Sequence, residues 1–196
     1  MIGFFMEREE FFNELRSKAA EDLARFYFER EEIIAFDGRE SYLSFKNFVM
    51  NELVEAEYVA VVGTGNWQFS LNPDKDFKAF DEKSDIDLAV ISIKRFNDAW
   101  EELRKDHRTR WYRLTSEARQ QLRRNGENVY AGFVTPSWIP DPTSVLRYDH
   151  KALLNRLSNR SPGRREVKLF YFKNDIEALD YYKRGFIVAQ KRVRAA

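Results

Sequence analysis

The chain has no cysteine, which excludes disulfide bonds, thiolate metal sites and cysteine nucleophiles. Histidine is nearly absent as well, because only His107 and His150 occur among the 196 residues. A zinc centre built from several histidines is therefore not expected. These two absences set aside the enzyme classes that depend on sulfur or on clustered imidazole ligands.

The sequence also lacks a long apolar run and an excess of charge of one sign. No apolar stretch approaches the roughly 20 residues that a membrane span needs. The 33 basic and 32 acidic residues leave a formal net charge of +1, so the net charge indicates no particular partner. We therefore expect a soluble protein without a membrane segment, most simply a cytoplasmic one.

The apolar and aromatic content is large, at 43% and 15% of residues. This composition supports a sizeable core and argues against disorder. A chain of 196 residues has the usual size of one domain. We predict a single domain over residues 1–196, with helices in residues 1–56 and a sheet-containing core and C-terminal helix in residues 57–196.

Apolar residues at spacings of three and four predict helices along much of the chain. The stripes of four helices are Phe12, Leu15, Ala19, Leu23 and Phe26; Phe45, Phe48, Val49 and Leu53; Phe96, Trp100 and Leu103; and Leu179, Tyr182, Phe186 and Ala189. Thr115 can cap a further helix, and Asn125-Gly126 predicts its left-handed end. Asn174 and Glu177 form a capping pair for the last helix.

Short runs of β-branched and aromatic residues predict four strands, at residues 58–62, 86–91, 129–134 and 167–172. A loop rich in polar residues over 66–83 separates the first two strands. Three prolines make residues 136–142 irregular. Because strands and helices interleave, we predict an α+β fold with a mixed β-sheet packed by helices.

Two aspartates share one face of the second predicted strand. Residues i and i+2 of a strand point to the same side, so Asp85 and Asp87 project together. Neighbouring carboxylates repel each other unless a positive charge lies between them, and oxygen ligands of this type select Mg²⁺ or Mn²⁺. The alternative is an ordinary pair of solvated acids where a strand reaches the surface.

A glycine turn ends the first predicted strand, at Gly63, Thr64 and Gly65. Two glycines around a hydroxyl residue allow backbone N–H groups to approach a phosphate, with the Thr64 hydroxyl as a further donor. An ordinary tight turn has the same composition. The sequence has no Gly-Lys-Ser or Gly-Lys-Thr, which excludes a P-loop.

The strand, the Gly-Thr turn, the loop and the segment Ser84–Val90 together resemble the signature of the DNA-polymerase-β-like nucleotidyltransferase superfamily, in a small bacterial or archaeal-type form. The resemblance covers about residues 58–92 and implies the nucleotidyltransferase fold. It also implies Mg²⁺ or Mn²⁺ at the catalytic Asp85 and Asp87. The residues that it places at a nucleoside triphosphate are Gly63, Thr64, Gly65 and Ser84; Thr64 stands where serine is usual and keeps the hydroxyl.

Fully active members of the superfamily generally carry a third carboxylate on a later strand, and Glu166 is the catalytic candidate for that position. Alternation places Glu166 on the face of Lys168 and Phe170, but it does not determine whether this face meets the aspartates. A solvated glutamate at a strand edge is the alternative. The stretch from Thr64 to Asp85 is longer than in compact members, which predicts an extra loop near the site.

Residues 104–124 form a basic segment with eight Arg or Lys residues against two acids. Arginines beside Trp111 and Tyr112 suit contacts with phosphates and bases, although a solvated helical face or an acidic partner would fit the same pattern. Four aromatics lie in the loop between the turn and the aspartates, where one can stack on a base or all can pack in the core. They are Trp67, Phe69, Phe77 and Phe80.

Three functions are hypotheses at this point. The first is transfer of a nucleoside monophosphate from a nucleoside triphosphate to a hydroxyl of RNA, protein or a small molecule. For this enzyme the resemblance implies a toxin–antitoxin or antiphage-defence setting with a partner protein. The second is a degenerate nucleotidyltransferase fold that serves as a binding or regulatory subunit. The third is a nucleic-acid-binding module built on residues 104–124.

Overall fold

The computed structural model describes residues 6–195, apart from the side chain of Pro73; residues 1–5 and Ala196 of the predicted domain lie outside this range. The helices are α1 (Arg8–Ser17), α2 (Ala20–Glu29), α3 (Gly38–Glu52), α4 (Thr64–Trp67), α5 (Ile93–Thr109), α6 (Ser116–Tyr130), α7 (Val145–Arg160) and α8 (Asp175–Ala195). The strands are β1 (Tyr58–Val62), β2 (Ile86–Ile91), β3 (Phe133–Val134) and β4 (Val167–Phe172). Short 3₁₀ turns occur at Pro73–Lys75, Trp111–Arg113, Pro136–Trp138 and Pro162–Arg164.

The strands form one mixed sheet in the order β1-β2-β4-β3. β2 runs antiparallel to β1 and parallel to β4, whereas β3 runs antiparallel to β4. The predicted α+β class with a mixed sheet packed by helices is confirmed, and β1, β2 and β4 have their predicted bounds. β2 is therefore an inner strand, with a neighbour on each side.

Each face of the sheet carries its own hydrophobic core, because alternate strand residues point to opposite sides. One face places Val61, Leu88 and Leu169 against α3, α5 and α7. The other face places Val62, Ala89 and Phe172 against α1, α2 and α8. The N-terminal helices thus contribute to both cores, since α1 and α2 pack on one face and α3 on the other.

The prediction of one continuous first helix is wrong. The chain is extended at Lys18 and Ala19, which separates α1 from α2. The break changes the phase of the buried stripe, so Phe26 is 51% exposed while Phe11 and Tyr27 are buried. Asp37 and Gly38 lie at the start of α3, well after the end of α2 at Glu29.

The predicted end of α6 is also wrong. Thr115 caps the helix as predicted and accepts a hydrogen bond from the Ala118 amide, but the helix continues through Gly126 to Tyr130. Gly132, with φ of 85°, is the residue that takes the left-handed conformation. The third strand is consequently limited to Phe133–Val134 instead of spanning residues 129–134.

The C-terminal part contains one helix that the sequence patterns do not predict. Only His150, Leu153 and Leu157 of α7 are buried, which makes a narrow apolar stripe. The last helix is confirmed, and the Glu177 amide donates to Asn174 Oδ1 at 2.9 Å as the capping pair requires. No helix in residues 6–195 is long and apolar enough to cross a membrane.

The two glycines near the end of α6 should respond oppositely to substitution. Gly126 is helical and a Cβ there would meet nothing within 4 Å, so Gly126→Ala should stabilise the protein by about 1 kcal/mol. At Gly132 a Cβ would lie 2.6 Å from Glu177 Cβ at a positive φ, so Gly132→Ala should destabilise by more than about 1 kcal/mol. Urea denaturation measures both changes; equal effects of one sign would contradict these backbone conformations.

Candidate functional site

The acidic pair lies at the start of the inner strand β2. Asp87 is paired with Val62 of β1 on one side and with Lys168 of β4 on the other. Asp85 is two residues before Asp87 and immediately precedes β2. Its carboxylate accepts a hydrogen bond from Lys168. Both aspartates thus come close to Lys168, Asp87 through the strand register and Asp85 through its side chain.

The Gly63 backbone lies directly against the Asp87 carboxylate. Gly63 has φ of 70° and ψ of −161°, and a Cβ at this position would lie 2.7 Å from Asp87 Oδ2. Only glycine fits such a conformation and such an approach without strain. Gly63 and Asp85 are 22 residues apart in the sequence. The fold nevertheless brings the glycine turn and the acidic pair together in one site.

Asp87 is a carboxylate at the edge of an apolar core. Burial raises its pKa to about 6, and the nearby charge of Asp85 acts in the same direction. The positive charges of Lys168 and Lys75 oppose this shift without cancelling it. Burial raises the pKa of Tyr181 in α8, and the nearby negative charge of Asp87 acts in the same direction.

Lys168 is the main cation of the site, and sequence reasoning missed its role. Its Nζ donates a hydrogen bond to Asp85 Oδ2, and this bond raises the pKa of the lysine. The side chain remains 48% exposed, so it can leave the carboxylate without unfolding its surroundings. Lys75, on the 3₁₀ turn Pro73–Lys75, adds a second positive charge near Asp87.

The residues predicted to contact a triphosphate do not all face the aspartates. The Asn66 and Trp67 amides donate to the Gly63 carbonyl, whereas the Thr64 and Gly65 amides donate to no other backbone group within residues 6–195. Gly65 itself is buried, and a Cβ there would meet Ala35 and Phe80. These contacts, 3.4 Å to Ala35 Cβ and 3.5 Å to Phe80 Cε2, are ordinary van der Waals distances, so packing alone does not require glycine at this position.

The hydroxyl of Ser84 is engaged in a local turn. It donates to Asp81 Oδ1 and accepts from the Asp81 amide, both at 2.9 Å. Arg165, two residues before β4, supports this turn, since its guanidinium donates to the carbonyls of Asp81 and Ser84 and stacks over Phe80. Ser84 thus positions the chain just before Asp85.

Asn66 holds the glycine turn from inside the protein. Its side chain is fully buried, and Nδ2 donates to the carbonyls of Tyr27 and Val61 at 2.6 and 2.7 Å. Arg30 completes the arrangement by donating to Asn66 Oδ1 at 2.7 Å. A polar residue after a glycine turn is the only sequence signal for this role, and it does not identify the partners.

Glu166 lies on the same face as Lys168, next to the acidic pair. Its backbone carbonyl accepts from the Ile86 amide at 2.9 Å, while its side chain is exposed. Within residues 6–195, no three acidic, histidine or cysteine side chains come together as a metal-binding group. The structure thus leaves Glu166 outside a three-carboxylate cluster, and its catalytic role stays a prediction.

The donor set at Asp85 and Asp87 fits a single hard cation. Mg²⁺ usually keeps several waters and is bound through one or two carboxylates together with substrate phosphates. The charge of Asp85 is close enough to raise the pKa of Asp87, and a divalent ion would relieve this repulsion. Because Lys168 is hydrogen-bonded to Asp85, such an ion would compete with the lysine for this carboxylate.

The basic segment and the loop aromatics make contacts within the protein, and binding of nucleic acid by residues 104–124 stays a prediction. Arg123 is stacked 4.9 Å from the Trp111 ring centroid, and Arg110 is paired with Asp106 and Asp141. Three of the four loop aromatics are buried, which is the core-packing alternative, and Phe80 lies beneath Arg165. The three are Trp67, Phe69 and Phe77.

Comparisons of the chain with protein-family models, with curated proteins and with solved structures give no match.

The contact between Gly63 and Asp87 predicts a coupled pair of substitutions. Gly63→Ala should destabilise the protein by at least about 2 kcal/mol, because it combines backbone strain with a clash against Oδ2. In an Asp87→Ala background the same substitution should cost about 1 kcal/mol less. Urea denaturation of the four proteins measures the coupling, and strictly additive effects would show that the two groups do not touch.

Asp87 should also make stability depend on pH. Its folded pKa of about 6 lies above the value of about 3.9 expected in the unfolded chain. Between these values the unfolded chain loses a proton that the folded state retains, so this group favours folding as the pH falls from 6 to 4. In buffer with EDTA, the stability of Asp87→Asn relative to the unsubstituted protein should be greater at pH 7 than at pH 4, by on the order of 2 kcal/mol. Parallel pH profiles would contradict the raised pKa.

Proposed function

We propose that the protein binds a nucleoside triphosphate with Mg²⁺ or Mn²⁺ at the Gly63 turn and the acidic pair, and that it transfers the nucleoside monophosphate to an acceptor hydroxyl. The observation that carries the proposal is the approach of the Gly63 backbone to the Asp87 carboxylate. It joins a turn suited to phosphate with a carboxylate pair suited to a divalent cation.

In this reaction the acceptor oxygen forms a bond to the α-phosphorus, and the bond from that phosphorus to the bridging oxygen of the β-phosphate breaks. Pyrophosphate leaves, and the acceptor hydroxyl gives its proton to solvent water. Asp85 and Asp87 would hold the cation, which supplies neutralisation of the phosphate charge. The unused amides and the hydroxyl of the turn orient the triphosphate, while Lys168, once displaced from Asp85, provides a mobile positive charge for it.

A second candidate function is nucleotide binding without transfer. The hydrogen bond from Lys168 to Asp85 favours it, because a resident ammonium group already compensates the charge of the acidic pair. In this role the site would report nucleotide levels to a partner protein.

One experiment separates the two candidates. The protein is incubated with α-labelled nucleoside triphosphates, Mg²⁺ and RNA or cell lysate, and thermal unfolding is measured with the same nucleotides. Transfer predicts labelled acceptor that falls at least about 100-fold in Asp85→Ala and Asp87→Ala, since both lose a cation ligand. Asp22→Ala, at an exposed acidic residue in the first turn of α2, is the matched control and should retain full activity.

The other outcomes have distinct meanings. A Mg²⁺-dependent rise in unfolding temperature without any label supports binding alone, since a ligand stabilises the folded state that binds it. Equal labelling by the aspartate variants and the unsubstituted protein contradicts the assignment of the site. No label and no thermal shift with any nucleotide contradict both functions.

A further inference from the structure

A cavity of about 570 Å³ lies between α5 and α6, away from the acidic pair. Gly132 and Lys173 line it, and Lys173 directly follows β4. Lys168, beside Asp87, lies five residues earlier, which corresponds to roughly 16 Å along a strand. The cavity is therefore at the opposite end of the sheet and is independent of the proposed nucleotide site.

The floor of the cavity is apolar and partly aromatic. Trp100 and Leu103 of α5 face Leu122 and Val129 of α6, and all four contribute to the core on this side of the sheet. The volume falls within the range of about 300–1,000 Å³ that is usual for small-molecule sites. A flat ring system can thus be covered by these side chains.

A buried amide in this cavity has an unused hydrogen-bonding group. Asn125 is 1% exposed, and its Oδ1 accepts from Gln121 Nε2 at 2.9 Å. Its Nδ2 has no hydrogen-bond partner within the described part of the chain. Buried polar groups without partners cost stability, so a ligand oxygen that reached this donor would be favoured.

The mouth of the cavity carries an excess of positive charge. Arg104 and Lys173 are exposed, and neither forms an ion pair with any residue between 6 and 195. Glu177 is the acidic residue of the lining, so the charges of Arg104, Lys173 and Glu177 sum to +1. The Arg104 guanidinium lies 4.7 Å from the Trp100 ring centroid. A ligand with an aromatic ring and an anionic group can therefore contact both Trp100 and Arg104.

We propose that this cavity binds a small aromatic carboxylic acid. The ring packs against Trp100 and Leu122, an oxygen on the ring accepts from Asn125 Nδ2, and the carboxylate lies at Arg104 and Lys173. The ring matches the apolar floor of the cavity, the ring oxygen matches the unpaired Asn125 donor, and the carboxylate matches the positive charge at the opening.

The probes are 6-hydroxy-2-naphthoate and 2-naphthol, which share a ring system and hydroxyl but differ in the carboxylate. Titration followed by protein NMR should show one site per chain, with shifts in α5 and α6. The acid should bind roughly threefold tighter than the alcohol, as expected for a partly exposed ion pair. Arg104→Gln should remove most of this preference, whereas Arg108→Gln, one helical turn further on and outside the cavity lining, should leave it unchanged.

A Gly126→Leu variant tests the location by filling space. Gly126 lines the cavity and a Cβ there would meet nothing within 4 Å, so the larger side chain should weaken both probes while the protein stays folded. Binding of neither probe to the unsubstituted protein overturns the proposal. Equal affinity for acid and alcohol, or affinities unchanged in both Arg104→Gln and Gly126→Leu, also overturns it.

Discussion

The carboxylate of Asp87 rests against the backbone of Gly63, and the remaining features of the site depend on this contact. The antiparallel register places Val62 opposite Asp87, so the residue that follows β1 must pass beside the acidic end of β2. A side chain at position 63 would collide with Oδ2. Buried Asn66 then holds the turn from within, and Arg165 holds the segment that leads into Asp85.

This contact also sets the electrostatics of the site. Asp87 is half-buried at the edge of the core formed by α1, α2 and α8, next to a second carboxylate, and both conditions favour its protonated form. Lys168 compensates part of the negative charge by its bond to Asp85. A divalent cation would supply stronger compensation, and the exposed lysine has room to withdraw. If the cation displaces Lys168 from Asp85, the arrangement supports transfer of the nucleoside monophosphate. If Lys168 keeps its bond to Asp85, the arrangement supports nucleotide binding alone.

Sequence patterns predict the parts of this arrangement that are local. The strands around Val61, Leu88 and Leu169 have their predicted bounds because each is a short β-branched or aromatic run. The shared face of the two aspartates likewise follows from strand alternation alone. The roles of Lys168 and Asn66 depend on partners that are distant in the chain, and no local pattern specifies a strand register or a buried hydrogen bond. The prediction of one continuous first helix is wrong because Lys18 and Ala19 are extended and separate α1 from α2. The apolar pattern runs through this break, and no glycine or proline marks it.

Binding of a metal–nucleotide at Asp85, Asp87 and the Gly63 turn is tested most directly by a crystal structure of the protein with Mn²⁺ and a non-hydrolysable nucleoside triphosphate analogue. The anomalous signal of the metal would locate it. We expect an anomalous peak between Asp85 and Asp87, triphosphate oxygens at the Gly63 turn, and Lys168 displaced from Asp85 onto a phosphate. A nucleotide bound elsewhere, or no metal at the acidic pair while Lys168 keeps its bond to Asp85, would contradict it.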